Sequence, residues 1–236
     1  MQAIHIIGGG LAGLSLGIAL RKRGVPVRVT EAGSYPRHRV CGEFISGLRD
    51  ETVETLGLEG CFSDAVVLRE AAWYDACRRL RADRLPRPAM GLSRWALDRR
   101  MADRLVAWGG ELATRTRHKR SEQSSGTVDC AGRRLTRESR WLGLKCHLRA
   151  FRAEAELEMH MSPQGYVGIC PVEDGSYNLC GLFRNTGLKP FAGQALIFRY
   201  LEQCGFKALL GRIDRHSVVA GSECSVVAMS YRRAPE

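Results

Sequence analysis

Apolar positions along the chain change rhythm between its two halves. AIHII at 3–7 is a short buried-strand run, and LAGLSLGIALRKRG after it has the spacing of a helix that closes at Gly24. VPVRVTE at 25–31 predicts a second strand, with Pro26 near its start where a missing N–H is tolerated. A loop rich in Arg, Pro and Gly follows at 32–47, and 48–56 predict a short helix stopped at Gly57. Leu97, Met101, Leu105 and Trp108 recur on one helical face behind Ser93, an N-cap residue type, so 93–108 predict an amphipathic helix. Residues 113–126 are polar, basic and aperiodic, which predicts a loop.

Beyond residue 141 the period shortens to two. AELEMHM sets Leu157, Met159 and Met161 on one side and Glu158 and His160 on the other. GYVGICPVEDGSYNLCGLF predicts two strands joined at Asp174-Gly175. Pro190 opens a helix that closes at Gly205. The expected class is α/β: a parallel βαβ first half joined to a mainly antiparallel sheet with a covering helix.

Composition changes this picture little. The 236 residues carry a formal net charge of +11, but only Lys22, Lys119, Lys145, Lys189 and Lys207 are lysines among 36 basic residues. Arginines spread along the whole chain, without interleaved aromatics, describe a solvated surface rather than a nucleic-acid site. Nine widely spaced cysteines without a C-x-x-C pair predict reduced, mostly core-filling thiols in the cytoplasm, with no disulfide framework and no metal site. The apolar N-terminal run is interrupted by glycines and has its positive charges after it, at 21–23, so it predicts neither a signal peptide nor a membrane span.

Gly8, Gly10 and Gly13 spell G-x-G-x-x-G between the first strand and its helix. The first glycine permits a tight turn, the second lets backbone approach a pyrophosphate, and the third lets helix pack on strand. Leu11 and Ala12 stand at the helix start, where N–H groups and the positive dipole end favour phosphate. Glu31, followed by Ala32, ends the second strand 18 residues after Gly13, where a carboxylate can accept both ribose hydroxyls. This context predicts dinucleotide binding, and an acidic residue there favours FAD or NAD over NADP. Gly13-Leu14-Ser15-Leu16-Gly17 also spells the hydrolase nucleophile motif, but that motif needs its serine at the strand-to-helix turn, and Ser15 falls inside the helix.

The run IIGGGLAGLSLGIALRKRGVPVRVTEA, then PRHRVCGEFIS, resembles the flavoprotein superfamily of geranylgeranyl reductases, flavin-dependent halogenases and single-component aromatic hydroxylases. GLSRWALDRRMADRL is similar to the segment whose arginine reaches FAD, here Arg94. VDCAGRR is similar to the turn that closes the FAD domain, here Asp129, Ala131, Gly132 and Arg133. WLGLKCHL, LEMHM and the 165–183 hairpin are similar to the substrate-domain sheet. The resemblance implies a Rossmann-like FAD domain of glutathione-reductase type over 1–140, with 58–92 contributing to an antiparallel substrate domain that continues over 141–236. It places Arg39, Val40, Cys41 and Gly42 near the flavin, with Cys41 a candidate for chemistry or a small packing residue. Arg39 beside it would favour the thiolate. Lys145 and His147 either meet substrate or are ordinary polar positions of a strand.

Three departures qualify the resemblance. Gly168 stands where halogenases and prenyl reductases carry a tryptophan, 109–127 are short for the expected β-meander, and no Gly-Asp-Ala occurs. That last segment is expected to hold the flavin end, so its absence implies a missing C-terminal FAD-binding segment. The implied activity is FAD-dependent, with NAD(P)H as electron donor and a small organic or lipid-like substrate that is reduced or hydroxylated. The alternative is a catalytically incomplete dinucleotide-binding remnant.

Overall fold

A computed structural model describes residues 3–118, 125–132, 140–189 and 195–228. The expectations for Arg133, for Pro190 as a helix start and for much of the 113–126 loop lie outside the described residues. The chain divides into two compact units, one of 1–37, 48–63 and 94–134, the other of 38–47, 64–93 and 135–236.

The first unit holds a parallel sheet. Strand β1 (Ile4–Ile7) leads into helix α1 (Leu11–Lys22) and returns as β2 (Val27–Thr30), followed later by helix α2 (Asp50–Leu56). Helix α3 (Arg94–Ala107) buries Leu97, Met101 and Leu105, the stripe that its spacing predicts. Strands β6 (Glu111–Ala113) and β7 (Thr127–Asp129) complete the order β6-β2-β1-β7, every pairing parallel. A strand–helix–strand crossover forces that parallel register, and Ile6, Leu14, Ile18 and Val29 close the core between sheet and helix.

The second unit is one eight-stranded sheet. Its members are β3 (Phe44–Ile45), β4 (Val66–Tyr74), β5 (Arg79–Gly91), β8 (Trp141–Leu148), β9 (Leu157–Ser162), β10 (Gly165–Pro171), β11 (Tyr177–Arg184) and β12 (Cys224–Ala228). They run β12-β8-β11-β10-β9-β4-β5-β3, antiparallel except where β4 meets β9. The β10–β11 hairpin turns at Asp174-Gly175, where Gly175 has φ +79. Leu144, Cys146 and Leu148 of β8 face helix α4 (Leu196–Gln203), whose Ile197, Phe198 and Leu201 bury against them. The short helix α5 (Lys207–Leu210) adds Leu209 to the same core.

On β9 the alternation of residue types does not sort buried from exposed: Leu157 on the apolar side is buried and Met159 partly so, and the polar side is buried as well. Glu158 and His160 are buried, while Met161 is 44% exposed. Glu158 accepts from His160 Nε2 at 2.9 Å and from both Nη groups of Arg212. Tyr74 stacks on the His160 ring at 4.4 Å. Burial pushes the Glu158 carboxyl up, but the bonds from His160 and Arg212 outweigh it and bring it down to about 2. A folded pKa below the unfolded value of 4.5 contributes stability that is full above pH 4.5 and lost as pH falls towards 2. Glu158→Gln is therefore expected to flatten the loss of stability over that window, read as urea midpoints at several pH values. An unchanged acid limb rules the group out as its source.

Candidate active site

The glycine motif is built as its spacing demands. Gly8 has φ +103, and a Cβ there would lie 2.5 Å from the Cys130 carbonyl oxygen, so the end of β1 sits against the Asp129–Gly132 turn. A Cβ on Gly13 would overlap the Gly8 carbonyl oxygen. At Gly10 it would meet no atom of a neighbouring element within 4 Å among the described residues. Gly10 is also the N-cap of α1, with no side-chain cap and no acid in the first turn. The helix start at Leu11 and Ala12 thus offers space and backbone donors with no acidic side chain in its own first turn, and a pyrophosphate fits that setting.

Glu31 follows β2 directly and is buried. One oxygen accepts the Gly9 N–H at 2.8 Å; the other accepts the Gly33 N–H at 2.8 Å and Arg37 Nη2 at 2.6 Å. The carboxylate is therefore held beside the glycine turn, one residue before Ala32. The Tyr35 hydroxyl donates to the Gly9 carbonyl and closes the same turn. Asp129 Oδ1 accepts the Ala131 N–H at 2.9 Å and shapes the turn that ends in Gly132 at φ +81. Arg94 makes a two-point ion pair with the buried Asp98 on its own helix, at 2.6 and 2.9 Å. Ser15 lies within α1, as expected.

Arg39, Val40, Cys41 and Gly42 belong to the second unit. Their loop is fastened there by Asn178, whose Nδ2 donates to the carbonyls of Cys41 at 3.0 Å and Gly42 at 2.7 Å. Val40 packs against Gly143 of β8, and the Cys41 thiol is half-buried and accepts weakly from the Glu43 N–H at 3.4 Å. Of the nine free cysteines four are buried, four half-buried and Cys77 exposed, so core filling accounts for fewer than half. Burial pushes the thiols of Cys170 and Cys180 up to about 12.

The residue that sequence reasoning missed is Glu43. It is buried and sits at φ +53, a left-handed conformation uncommon for a residue with a side chain. Its Oε1 accepts from Lys145 Nζ at 2.5 Å and its Oε2 meets His147 Nε2 at 2.7 Å. Lys145 and His147 project from the face of β8 opposite α4, and both are buried. They are neither solvent-facing strand positions nor open contacts for substrate. Burial raises the Glu43 carboxyl, but the His147 bond and the Lys145 charge outweigh it and hold it below the usual carboxylate range. The signal available in the sequence was the apolar setting of Lys145 and His147, two charged residue types at i, i+2 inside WLGLKCHL, which called for a buried carboxylate partner.

Residues 1–147 match the family model described as FAD binding domain. The chain belongs to the FAD binding domain family. The fold of these flavoproteins recurs in solved structures. The chondrochloren halogenase of a myxobacterium superposes with a TM-score of 0.71 at 17% identity, over 96% of this chain and 64% of that one. p-Nitrophenol 4-monooxygenase from Pseudomonas putida gives 0.73 at 14% identity, over 95% and 68%. A flavin-dependent brominase gives 0.70 at 16%, over 95% and 67%. Identities this low carry the fold, a mixed α/β architecture with a Rossmann-like FAD domain of glutathione-reductase type, and not a substrate. The chain spans less than two thirds of the length of the halogenase. No curated protein matches the sequence. No helix among the described residues is long and apolar enough to cross a membrane.

Proposed function

We propose that the chain is the FAD-holding and substrate-facing part of a cytoplasmic flavin-dependent oxidoreductase. The first unit is the FAD-binding domain and the second the substrate domain. The observation that carries this reading is the uncapped, open start of α1 beside the Gly8–Gly13 turn, with Glu31 buried next to it. Gly10, Leu11, Ala12 and Gly13 bind the pyrophosphate, Glu31 and Ala32 face the adenosine ribose, and Asp129, Ala131 and Gly132 line the same edge. Arg94 and the Arg39–Gly42 loop serve the flavin end, with Cys41 in the substrate pocket. Bound FAD would supply the hydride or oxygen chemistry for reduction or hydroxylation of a small organic or lipid-like molecule, with NAD(P)H as the electron donor. The protein's own work is to neutralise the pyrophosphate with backbone N–H groups, hold the ribose, and keep water from the Cys41 loop.

The test is the visible spectrum of the purified chain, with and without added FAD. A protein-bound flavin spectrum is expected. A colourless protein that ignores FAD would withdraw the active enzyme and favour the incomplete dinucleotide-binding remnant.

A further inference from the structure

The charged centre behind the Cys41 loop extends past Glu43. Lys145 Nζ, wholly buried, stands 2.5 Å from Glu43 Oε1 and 3.5 Å from His38 Nδ1. The other Glu43 oxygen meets His147 Nε2, and the His38 ring lies edge-on to the His147 ring with centroids 4.9 Å apart. On the far side of His147, Nδ1 is 3.5 Å from Ser176 Oγ, which donates to the exposed Asp174 at 2.6 Å. Lys145, Glu43, His147 and Ser176 are buried; His38 is half-buried. A structural ion pair needs one cation for one carboxylate. Here two basic side chains share Glu43, and a second imidazole, His38, presents a nitrogen to the ammonium.

We propose that His38 and Lys145 form a proton-donor pair, in which His38 gives a proton to an oxyanion developing on substrate and Lys145 refills it. This rests on the oxidoreductase reading, because it takes the His38–Gly42 segment as lining the reaction site. The step balances. The His38 Nε2–H bond breaks as the substrate O–H bond forms, and a Lys145 Nζ–H bond breaks as the His38 Nδ1–H bond forms. The imidazole changes tautomer and stays neutral, the ammonium becomes an amine, and one negative charge on substrate is quenched. Water returns the proton through the same ring.

The charges around His38 suit it to this role. Burial and the neighbouring Lys145 and His147 depress it to about 4, against the opposite pull of Glu43 and Asp174. At neutral pH the ring is therefore uncharged, with a lone pair at Nδ1 for the ammonium and the hydrogen at Nε2. An imidazolium could not accept from Lys145. Glu43 and His147 act as positioning residues, since they hold the ammonium against the ring.

Proton traffic between the two residues can be read by NMR without cofactor, on the full chain labelled with nitrogen-15. At pH 7 His38 is expected as the Nε2–H tautomer, with a titration midpoint near 4. Its midpoint should rise in Lys145→Met/Glu43→Leu, a double variant that removes the ammonium together with its carboxylate, because the pull of Lys145 on His38 outweighs that of Glu43. The Lys145 ammonium protons should exchange with water at least tenfold more slowly in His38→Gln, which keeps the half-buried position polar. A wild-type midpoint near 6.5, an Nδ1–H tautomer, or unchanged lysine exchange in His38→Gln overturns the pair. A chain that binds flavin but shows that unchanged exchange loses the donor pair alone. A chain with His38-gated exchange that takes no FAD loses the oxidoreductase reading, and with it the use assigned to the pair.

Discussion

Gly13→Ala is expected to abolish FAD binding and to lower the unfolding free energy by about 3 kcal/mol or more, in the range of strain and overpacking at a fixed backbone contact. The added methyl would enter the Gly8 carbonyl, and neither group is a flexible side-chain end that can swing away. Helix α1 would have to lift from the end of β1, taking Leu14 and Ile18 out of the core. Gly10→Ala is the informative partner. Its methyl meets nothing among the described residues, so the fold should stay within about 1 kcal/mol, the usual difference between Gly and Ala at an N-cap. Affinity for FAD should still fall by roughly a hundredfold, because the methyl occupies the approach of the pyrophosphate; that is about 2.8 kcal/mol at 1.4 per tenfold. Urea denaturation and an FAD titration of both variants separate the two effects. Undiminished affinity in Gly10→Ala would move the phosphate site away from this turn.

Glu43→Leu should be the most damaging single change in the second unit, costing about 3–5 kcal/mol because it strands the buried Lys145 ammonium. Lys145→Met alone should be similar, since the buried Glu43 carboxylate then loses its ammonium. Together they should recover most of the loss, to within about 2 kcal/mol of the parent, because two apolar side chains of like volume replace both charges. A double-variant cycle by chemical denaturation reads the coupling directly. Additive losses would mean that the pair contributes nothing as a pair.

Legibility followed the range of the interactions. The β1–α1–β2 unit was readable because its determinants lie within about thirty residues: three glycines at fixed spacing, a helical apolar stripe and an acid at the strand end. The β10–β11 hairpin was readable for the same reason, its turn being written in Asp174-Gly175. Strand β5 was not. Its sequence RLRADRLPRPAMG carries four arginines and two prolines and leaves Leu80 52% exposed, so neither propensity nor alternation marks it as a strand. Its pairing with β4 decides it. Glu43 was hidden by distance, since its partners lie 102 and 104 residues away. On β9 the alternation was visible but not the burial of its polar side, which depends on Arg212 more than fifty residues downstream.

The placement of β7 has a consequence for synthesis on the ribosome. β1 is flanked by β2 on one side and by β7 on the other, yet β7 begins only at Thr127. Translation at about 5–20 residues per second leaves that flank of β1 without its partner for roughly 6–25 s after the strand emerges. During that interval the nascent chain presents an unpaired apolar strand edge, the kind of surface that templates misassembly. Production of this chain should therefore respond to holdase chaperones and to slower growth temperature more than its finished stability would suggest.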